Sequence, residues 1–417
     1  MKETIILITA YDVNPYKGSE SATGWNFIYQ ASKYYKVLAF TRKNNKSHIE
    51  SFIRENNLCT TNLKFFYFDL PKWAMFWKRG PRGASLYFYL WQMTIPFYIK
   101  RLGLEFDIAH GLNFHASAYP NFLWILGKPV IWGPINHNEP VPKDYFLSFK
   151  DYVVDRLKWL NKLFFWYLDP FHMLARRKVS FVLGGSKCVK KRLLLDENKF
   201  IYFPQVGSTK PPFMSCERIR AKIAKKTFTV LSVGRLIYIK SFDVVILAFK
   251  RFIDSLLSQK QFGSNYQFKL VLVGDGPHKH YLVRLVRNLG LQAYVDFVGW
   301  QPKEKVGKFY QEADVFFFPS HEGAGMVVVE ALSYGLPVLC FDKCGPGELV
   351  DESCSIRVPS VGKGKAIELF AESLLRLYLD KHIRLNLSLS AYRKFLQEYE
   401  WNMKGRKLRD IYEMVLK

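Results

Sequence analysis

From Phe228 to Phe341 the chain alternates short apolar runs with amphipathic stretches, and no other feature limits its fold as much. The runs Phe228 to Val233, Lys269 to Val273, Val295 to Val298, Val315 to Phe318 and Pro337 to Phe341 predict strands. The stretches Phe242 to Leu257, Lys279 to Leu289, Lys303 to Tyr310 and Met326 to Tyr334 predict the helices between them. Strands that are apolar on both sides and joined through helices pair in parallel and are covered on both faces, which is a doubly wound α/β sheet. The first half repeats the alternation less cleanly, with strands expected at Ile5 to Thr9, Val37 to Phe40, Leu63 to Phe66, Ile108 to Ala109 and Val130 to Ile131. Between the halves, Phe203 to Phe213 (FPQVGSTKPPF) breaks all periodicity with three prolines and a glycine and marks a hinge. The expected architecture is two Rossmann-like domains, residues 1–205 and 206–395, facing across a cleft with the site at the carboxyl ends of both sheets. A helix at about 396–417 is expected to return to the first domain.

Charge narrows the partners. Of 417 residues, 61 are Lys or Arg and 36 Asp or Glu, a net +25, and residues 1–220 hold 32 of the basic side chains against 16 acidic ones. Such an excess suits nucleic acid, acidic lipid head groups or phosphorylated substrates. No RNA-recognition, zinc-finger or helix-turn-helix signature supports the first. The longest uncharged run, Ala84 to Ile99, is shorter than the ~20 residues of a spanning helix and contains Pro96, so no transmembrane helix is expected. Aromatic residues reach 17% of the chain, and ten of the 29 residues from Lys143 to Phe171 are aromatic, interleaved with Lys150, Arg156, Lys158 and Lys162. That composition fits a helix lying in a membrane interface, or a helical hairpin packed on the sheet. Most of the rings are expected in the core, with the basic edge left free to touch lipid. The amino-terminal residues read as a first strand rather than a signal peptide, giving the expectation of a cytoplasmic protein. The six cysteines contain no C-x-x-C pair and are expected to be reduced thiols.

Two constellations carry chemistry. Gly234-Arg235-Leu236-Ile237-Tyr238-Ile239-Lys240 follows the first strand of the second half and precedes a helix, placing two cations where a diphosphate gains charge as it leaves. On a basic chain a solvated Arg and Lys explain it equally well. Ser320-His321-Glu322-Gly323-Ala324-Gly325-Met326-Val327-Val328-Val329-Glu330 runs from a strand end through a glycine loop into a helix. Its glycines let backbone N–H groups approach a phosphate, and Glu322 and Glu330 can accept hydrogen bonds from paired hydroxyls, as on a sugar and a ribose. An acid near a helix amino terminus is ordinary, which covers Glu322 but not Glu330.

These residues resemble glycosyltransferase family 4, retaining nucleotide-sugar transferases of the GT-B fold. Glu322 and Glu330 match its E-x7-E signature, followed by Ala331-Leu332 and Gly335-Leu336-Pro337-Val338, and Arg235 and Lys240 match its Arg/Lys pair. Gly274-Asp275-Gly276-Pro277, Phe297-Val298-Gly299-Trp300 and Gly345-Pro346-Gly347-Glu348 also resemble its segments. Ala324 departs from the usual bulky aromatic. The resemblance implies that Arg235 and Lys240, with backbone groups of Gly325, Met326 and Val327, hold the donor diphosphate. It implies Glu330 for the ribose, Glu322 for the donor sugar at the reacting centre, and the loop near Trp300 for the base.

In the first domain, which the resemblance makes acceptor-binding, Gly18 of Asn14-Pro15-Tyr16-Lys17-Gly18-Ser19-Glu20 matches the family's acceptor-side glycine loop. Glu105-Phe106-Asp107-Ile108-Ala109-His110 resembles its strand-end histidine segment, so His110 is expected at the reacting centre, with His115 as the alternative. Without the resemblance each is more readily a turn glycine or a structural histidine. Trp132 to Glu139 resembles a family loop usually richer in glycine. The chain has no Asp-x-Asp, so no metal site and no cofactor are expected. The expected activity is metal-independent, configuration-retaining hexosyl transfer from a nucleotide-diphosphate sugar. The expected acceptor is a saccharide or lipid-linked molecule of surface polysaccharide or lipopolysaccharide biosynthesis, reached through peripheral contact with an anionic membrane and without nucleic acid. A nucleotide-sugar epimerase or phosphorylase, a basic nucleic-acid-binding protein, and a catalytically silent partner subunit are the competing readings.

Overall fold

A computed structural model describes residues 3–78, 80, 82–112, 117–223, 225, 227–258, 267–343 and 345–417. The chain divides into two compact units. One comprises Met1–His137, Lys158–Val206 and Trp401–Lys417, the other Asn138–Leu157 and Gly207–Glu400. The segment Asn138–Leu157 therefore groups with the later residues, where a single cut after residue 205 assigns it to the earlier ones.

The first unit holds seven parallel strands: β1 (Ile5–Ala10), β2 (Lys36–Thr41), β3 (Leu63–Tyr67), β4 (Ile108–Leu112), β5 (Val130–Ile135), β6 (Phe181–Gly184) and β7 (Phe200–Tyr202), in the order β3-β2-β1-β4-β5-β6-β7. Alternation along each strand sends neighbouring residues to opposite faces. Ile6 and Ile8 pack with Trp25, Ile28, Leu408 and Tyr412, while Leu7 packs with Trp91, Ile95 and Trp166. The uncharged run from Ala84 becomes the helix Ala84–Arg101, burying Tyr87, Trp91, Ile95 and Ile99. The helix Trp401–Leu416 belongs to this unit and buries Trp401, Leu408, Ile411 and Tyr412.

The second unit holds β8 (Thr227–Val233), β9 (Gln267–Val273), β10 (Val295–Gly299), β11 (Val315–Phe318), β12 (Val338–Phe341) and β13 (Ser355–Val358), parallel and ordered β10-β9-β8-β11-β12-β13. Both sheets begin with the Rossmann order, in which the chain reverses direction across the sheet beside the first strand. In the second unit that switch point lies between β8 and β11, so the loops after Val233 and Phe318 emerge side by side. The core beneath them contains Val230, Leu270, Val315, Phe317, Leu339 and Phe341, packed on Phe249 and Phe252 of the helix Phe242–Ser258.

Two expectations need correction. The helix Phe149–Leu168 fully buries one residue, Trp166, and four of the ten rings from Lys143 to Phe171 (Phe149, Phe164, Tyr167 and Phe171) are exposed. Seven of the ten rings lie on this helix, which offers only a narrow stripe to the sheet, and seven rings exceed what that stripe can hold. Cys59, Cys216, Cys340 and Cys354 are free thiols, but Cys188 is disulfide-bonded, a pairing that a search for neighbouring cysteines cannot detect. Among the described residues no helix is long and apolar enough to cross a membrane.

Candidate active site

The loops after β8 and β9 are in backbone contact. Gly234 N–H donates to Val273 O at 2.9 Å and Leu236 N–H to Asp275 O at 3.0 Å. Gly274 has a φ of +139°, and a Cβ there meets Gly234 O at 1.9 Å, so this crossing admits only glycine. Held this way, the β8 loop presents the Arg235 side chain exposed and without a hydrogen-bond or ion-pair partner among the described residues, while the Arg235 carbonyl accepts from Ile237 N–H at 2.9 Å. Lys240, at the end of the turn Tyr238–Lys240, pairs with the Glu322 carboxylate and lies 4.6 Å from the centre of the Phe318 ring.

The β11 loop docks on the β8 loop. His321 N–H donates to Ile239 O at 2.8 Å, and Ser320 Oγ to the same carbonyl at 3.3 Å. Gly323 N–H donates to Asn138 Oδ1 at 2.5 Å, a bond worth about 0.5–1.5 kcal/mol net. Gly345, at φ +80°, lets the loop after β12 run against the Glu322 carbonyl, which stands 2.1 Å from the position of a Cβ. The loop then enters the helix Met326–Ser333 with Gly325 as its cap. Val328 N–H goes to Gly325 O at 2.9 Å, while no backbone acceptor among the described residues takes the Met326 or Val327 N–H. These are the unsatisfied donors that make a helix start an anion site.

Glu330 lies on the same helix, its carboxylate accepting from Tyr310 Oη at 3.1 Å. Burial pushes its carboxyl above the usual range, opposed by the Lys303 ammonium and the Tyr310 hydrogen bond. Tyr310 stacks on Tyr334 with centroids 5.5 Å apart. Trp300 follows β10 and is 72% exposed. Of the expected residues, the structure therefore brings Arg235, Lys240, Glu322, Gly325, Met326, Val327 and Glu330 to one edge of one sheet.

Sequence reasoning does not single out Asn138, Phe318, Tyr310 or His321 as parts of this edge. His321 is 2% exposed, packs 4.5 Å from Tyr145 and 4.8 Å from Phe341 between ring centres, and has no hydrogen-bond partner for either nitrogen among the described residues. Burial lowers its pKa to about 3. The asparagine among expected glycines in Trp132 to Glu139 is the one available signal for Asn138.

In the first unit Gly18 caps the helix Ser19–Ser32 with a φ of −83°, and a Cβ there meets nothing within 4 Å among the described residues. His110 is not at the end of its strand but is the third of the five residues of β4. It is fully buried, with Nε2 2.7 Å from Gly133 O and Nδ1 2.7 Å from Tyr412 Oη. A carbonyl accepts only, so Nε2 carries the proton and Nδ1 accepts from the tyrosine. Burial lowers its pKa to about 4. His115 lies outside the described residues. Among the described residues no cluster of three or more His, Cys, Asp or Glu side chains could hold a metal ion.

Two Rossmann-like α/β units in one chain are the hallmark of the GT-B fold. The chain has that fold: it aligns with a glycosyltransferase from Rickettsia africae over 100% of both chains (TM-score 0.62, 15% identity), and with Anabaena HepE in complex with UDP over 99% of this chain and 100% of that one (TM-score 0.61, 15% identity). Residues 216–394, which contain the β8 and β11 loops, match the family described as glycosyl transferases group 1. The amylovoran biosynthesis glycosyltransferase AmsD of Erwinia amylovora is 31% identical over 180 residues, 43% of this chain and 46% of that protein. The chain thus spans under half the length of this curated relative.

Proposed function

We propose that the chain is a glycosyltransferase of the family 4 type that transfers a hexosyl group from a nucleotide-diphosphate sugar. The observation that carries this reading is the joint presentation of Arg235, Lys240, Glu322 and the Met326 and Val327 N–H groups at the switch point between β8 and β11. Arg235, Lys240 and the helix start bind the diphosphate and stabilise the charge that collects on it as the glycosidic bond breaks. A diphosphate oxygen competes with the Glu322 carboxylate for Lys240, and Glu322 so released accepts from the donor sugar's hydroxyls. Glu330 accepts from the ribose. The UDP held by Anabaena HepE supports a nucleotide-diphosphate donor, and the part of AmsD in amylovoran biosynthesis supports an acceptor in surface polysaccharide biosynthesis.

Transfer proceeds with retention and without a metal. The acceptor oxygen attacks C1 on the face from which the diphosphate departs. The C1–O bond to phosphate breaks, and the hydroxyl proton passes to the departing phosphate oxygen. His110, with both nitrogens engaged, is a positioning residue that ties β4 to β5 and to the helix Trp401–Leu416. Gly18, with open space beside it, borders the acceptor. Incubation with labelled nucleotide sugars and a lipid-linked saccharide acceptor tests the reading. Growth of the acceptor by one α-configured hexose, unaffected by EDTA, is expected. A sugar covalently trapped on Glu322, an inverted product, or free epimerised donor overturns it.

The acceptor is lipid-linked and reached from a membrane surface. Val154, Leu157, Leu160, Phe164 and Leu168 form an exposed apolar stripe at helical spacing, bordered by exposed Lys150 and Lys158. Apolar side chains framed by cations suit the boundary between acyl chains and anionic head groups.

A further inference from the structure

The second unit carries a cavity of about 310 Å³ lined by Met214, Arg218, Ile219, Lys222, Lys225 and Gln311. Lys222 is 8% exposed, and its Nζ has no hydrogen-bond partner among the described residues. An ammonium removed from water without an acceptor is costly, so such a group is retained where something else completes it. The surrounding charge leans the same way. Arg218 and Lys225 stand exposed at the rim, and buried Arg384 lies over the Phe228 ring with Nη1 donating to Leu377 O at 2.7 Å. Against these cations stands one buried carboxylate, Asp314, whose Oδ2 already accepts from Thr229 N–H at 2.9 Å. Burial lowers the Lys222 pKa to about 8, with Asp314 opposing and Lys225 and Arg384 adding to the shift.

The cavity is not part of the edge described above. The helix Cys216–Ile223 leads into the start of β8, and Asp314 immediately precedes β11. The cavity therefore sits at the amino-terminal edge of the strands whose carboxyl ends carry Gly234 and Pro319. One buried ammonium without an acceptor among the described residues, with two exposed cations on the same cavity, calls for a ligand with several acceptor oxygens and more than one negative charge. Met214 and Ile219 add an apolar wall, and the volume is at the small end of ligand pockets.

We propose that this cavity binds a phosphomonoester, its phosphate accepting from Lys222, Arg218 and Lys225 and its carbon skeleton lying on Met214 and Ile219. The phosphate comes from a soluble metabolite or from a lipid head group. The test is competitive acetylation of the full chain, read at Lys222 by mass spectrometry, with glycerol 3-phosphate, with phosphatidic acid vesicles, or with phosphatidylcholine vesicles alone. Protection by glycerol 3-phosphate identifies the soluble source, and protection by phosphatidic acid vesicles alone identifies the lipid. Calorimetry with the protecting ligand is expected to show binding lost in Lys222→Met and weakened about tenfold in the rim variant Arg218→Ala, about one charge-assisted hydrogen bond. Lys222→Met removes an unpaired buried charge and is expected to fold, which its thermal transition checks. No protection by either phosphate source at about 10 mM, the weak end of ligand affinity, or undiminished binding by Lys222→Met, overturns the proposal.

Discussion

Lys240 and Glu322 lie 82 residues apart in sequence and form an ion pair whose ammonium also stacks over the Phe318 ring. The pair joins the end of the β8 loop to the β11 loop, so each side chain fixes the position of the other. A cation over an aromatic face gains about 0.5–2 kcal/mol when partly desolvated, so Phe318 would hold Lys240 in place if, as proposed, a phosphate drew it from Glu322.

Replacing Lys240 by Met is therefore expected to weaken nucleotide-diphosphate binding by about 10- to 100-fold, the worth of one or two charge-assisted hydrogen bonds. Glu322→Gln should leave nucleotide affinity nearly unchanged, or raise it, because the competitor for Lys240 is gone. Its loss should appear in transfer rate with the full sugar donor. Calorimetry with the bare nucleotide and a transfer assay separate the two effects.

Glu330→Gln is expected to trade binding for stability. Burial raises the folded-state carboxyl pKa, so Glu330 favours folding when protonated, and that contribution is lost as pH rises through the raised value. At neutral pH the glutamine variant, which keeps an acceptor for Tyr310, should melt higher than the wild type. The advantage should vanish in acid below the ordinary glutamate range. Ribose binding should still weaken, seen as lower nucleotide affinity, and a melting series across pH reads the first effect.

Tyr412→Phe removes the hydroxyl that His110 Nδ1 accepts from at 2.7 Å. Leaving that buried nitrogen unpaired should cost about 1–3 kcal/mol of stability in chemical denaturation. Donor nucleotide affinity should be unchanged, since the affected groups belong to the first unit.

Acid should destabilise the chain early. Burial holds His110 and His172 down to about 4, and His137 and His321 to about 3. Lowered folded pKa values mean stability that is complete above the unfolded histidine value of about 6.5 and lost as pH falls toward the folded values. Denaturant midpoints should therefore drop progressively between about pH 6.5 and 4, before most carboxylates titrate.

Replacing both Leu160 and Phe164 by Glu should abolish flotation with anionic vesicles and leave nucleotide binding intact. Lys150→Gln with Lys158→Gln should weaken flotation by about 1 kcal/mol per cation and reduce its salt dependence. Flotation of the Leu160/Phe164 variant equal to the wild type removes this stripe from the membrane contact.

Much of the second unit is legible in its amino-acid sequence. Its strands are apolar, bounded by glycine, and separated by helices of normal length, so Val315–Phe318 is expected to the residue and the other predicted strands to within two. Phe181–Gly184, Phe200–Tyr202 and Ser355–Val358 escape that reading. Phe200–Tyr202 has three residues and Ser355–Val358 sets Ser and Arg among its two apolar residues, so neither shows the continuous apolar run by which Val315–Phe318 is read. The candidate site is legible where its chemistry is local, in the glycine loops and the spaced glutamates. It is illegible where residues far apart in sequence meet: Gly323 with Asn138 at a separation of 185, and His110 with Tyr412 at 302. At His110 the residue type announces a group able to carry protons, but its burial depends on a helix supplied by the far end of the chain.

Holding a nucleotide diphosphate is the role proposed for the β8 and β11 loops. Calorimetry of the wild type, Arg235→Ala and Glu330→Ala against UDP, GDP, ADP and their hexose derivatives tests it most directly. One nucleotide should bind the wild type and its affinity should fall by about tenfold or more in each variant, the worth of a charge-assisted hydrogen bond. No nucleotide bound by the wild type, or equal binding by all three proteins, contradicts the claim.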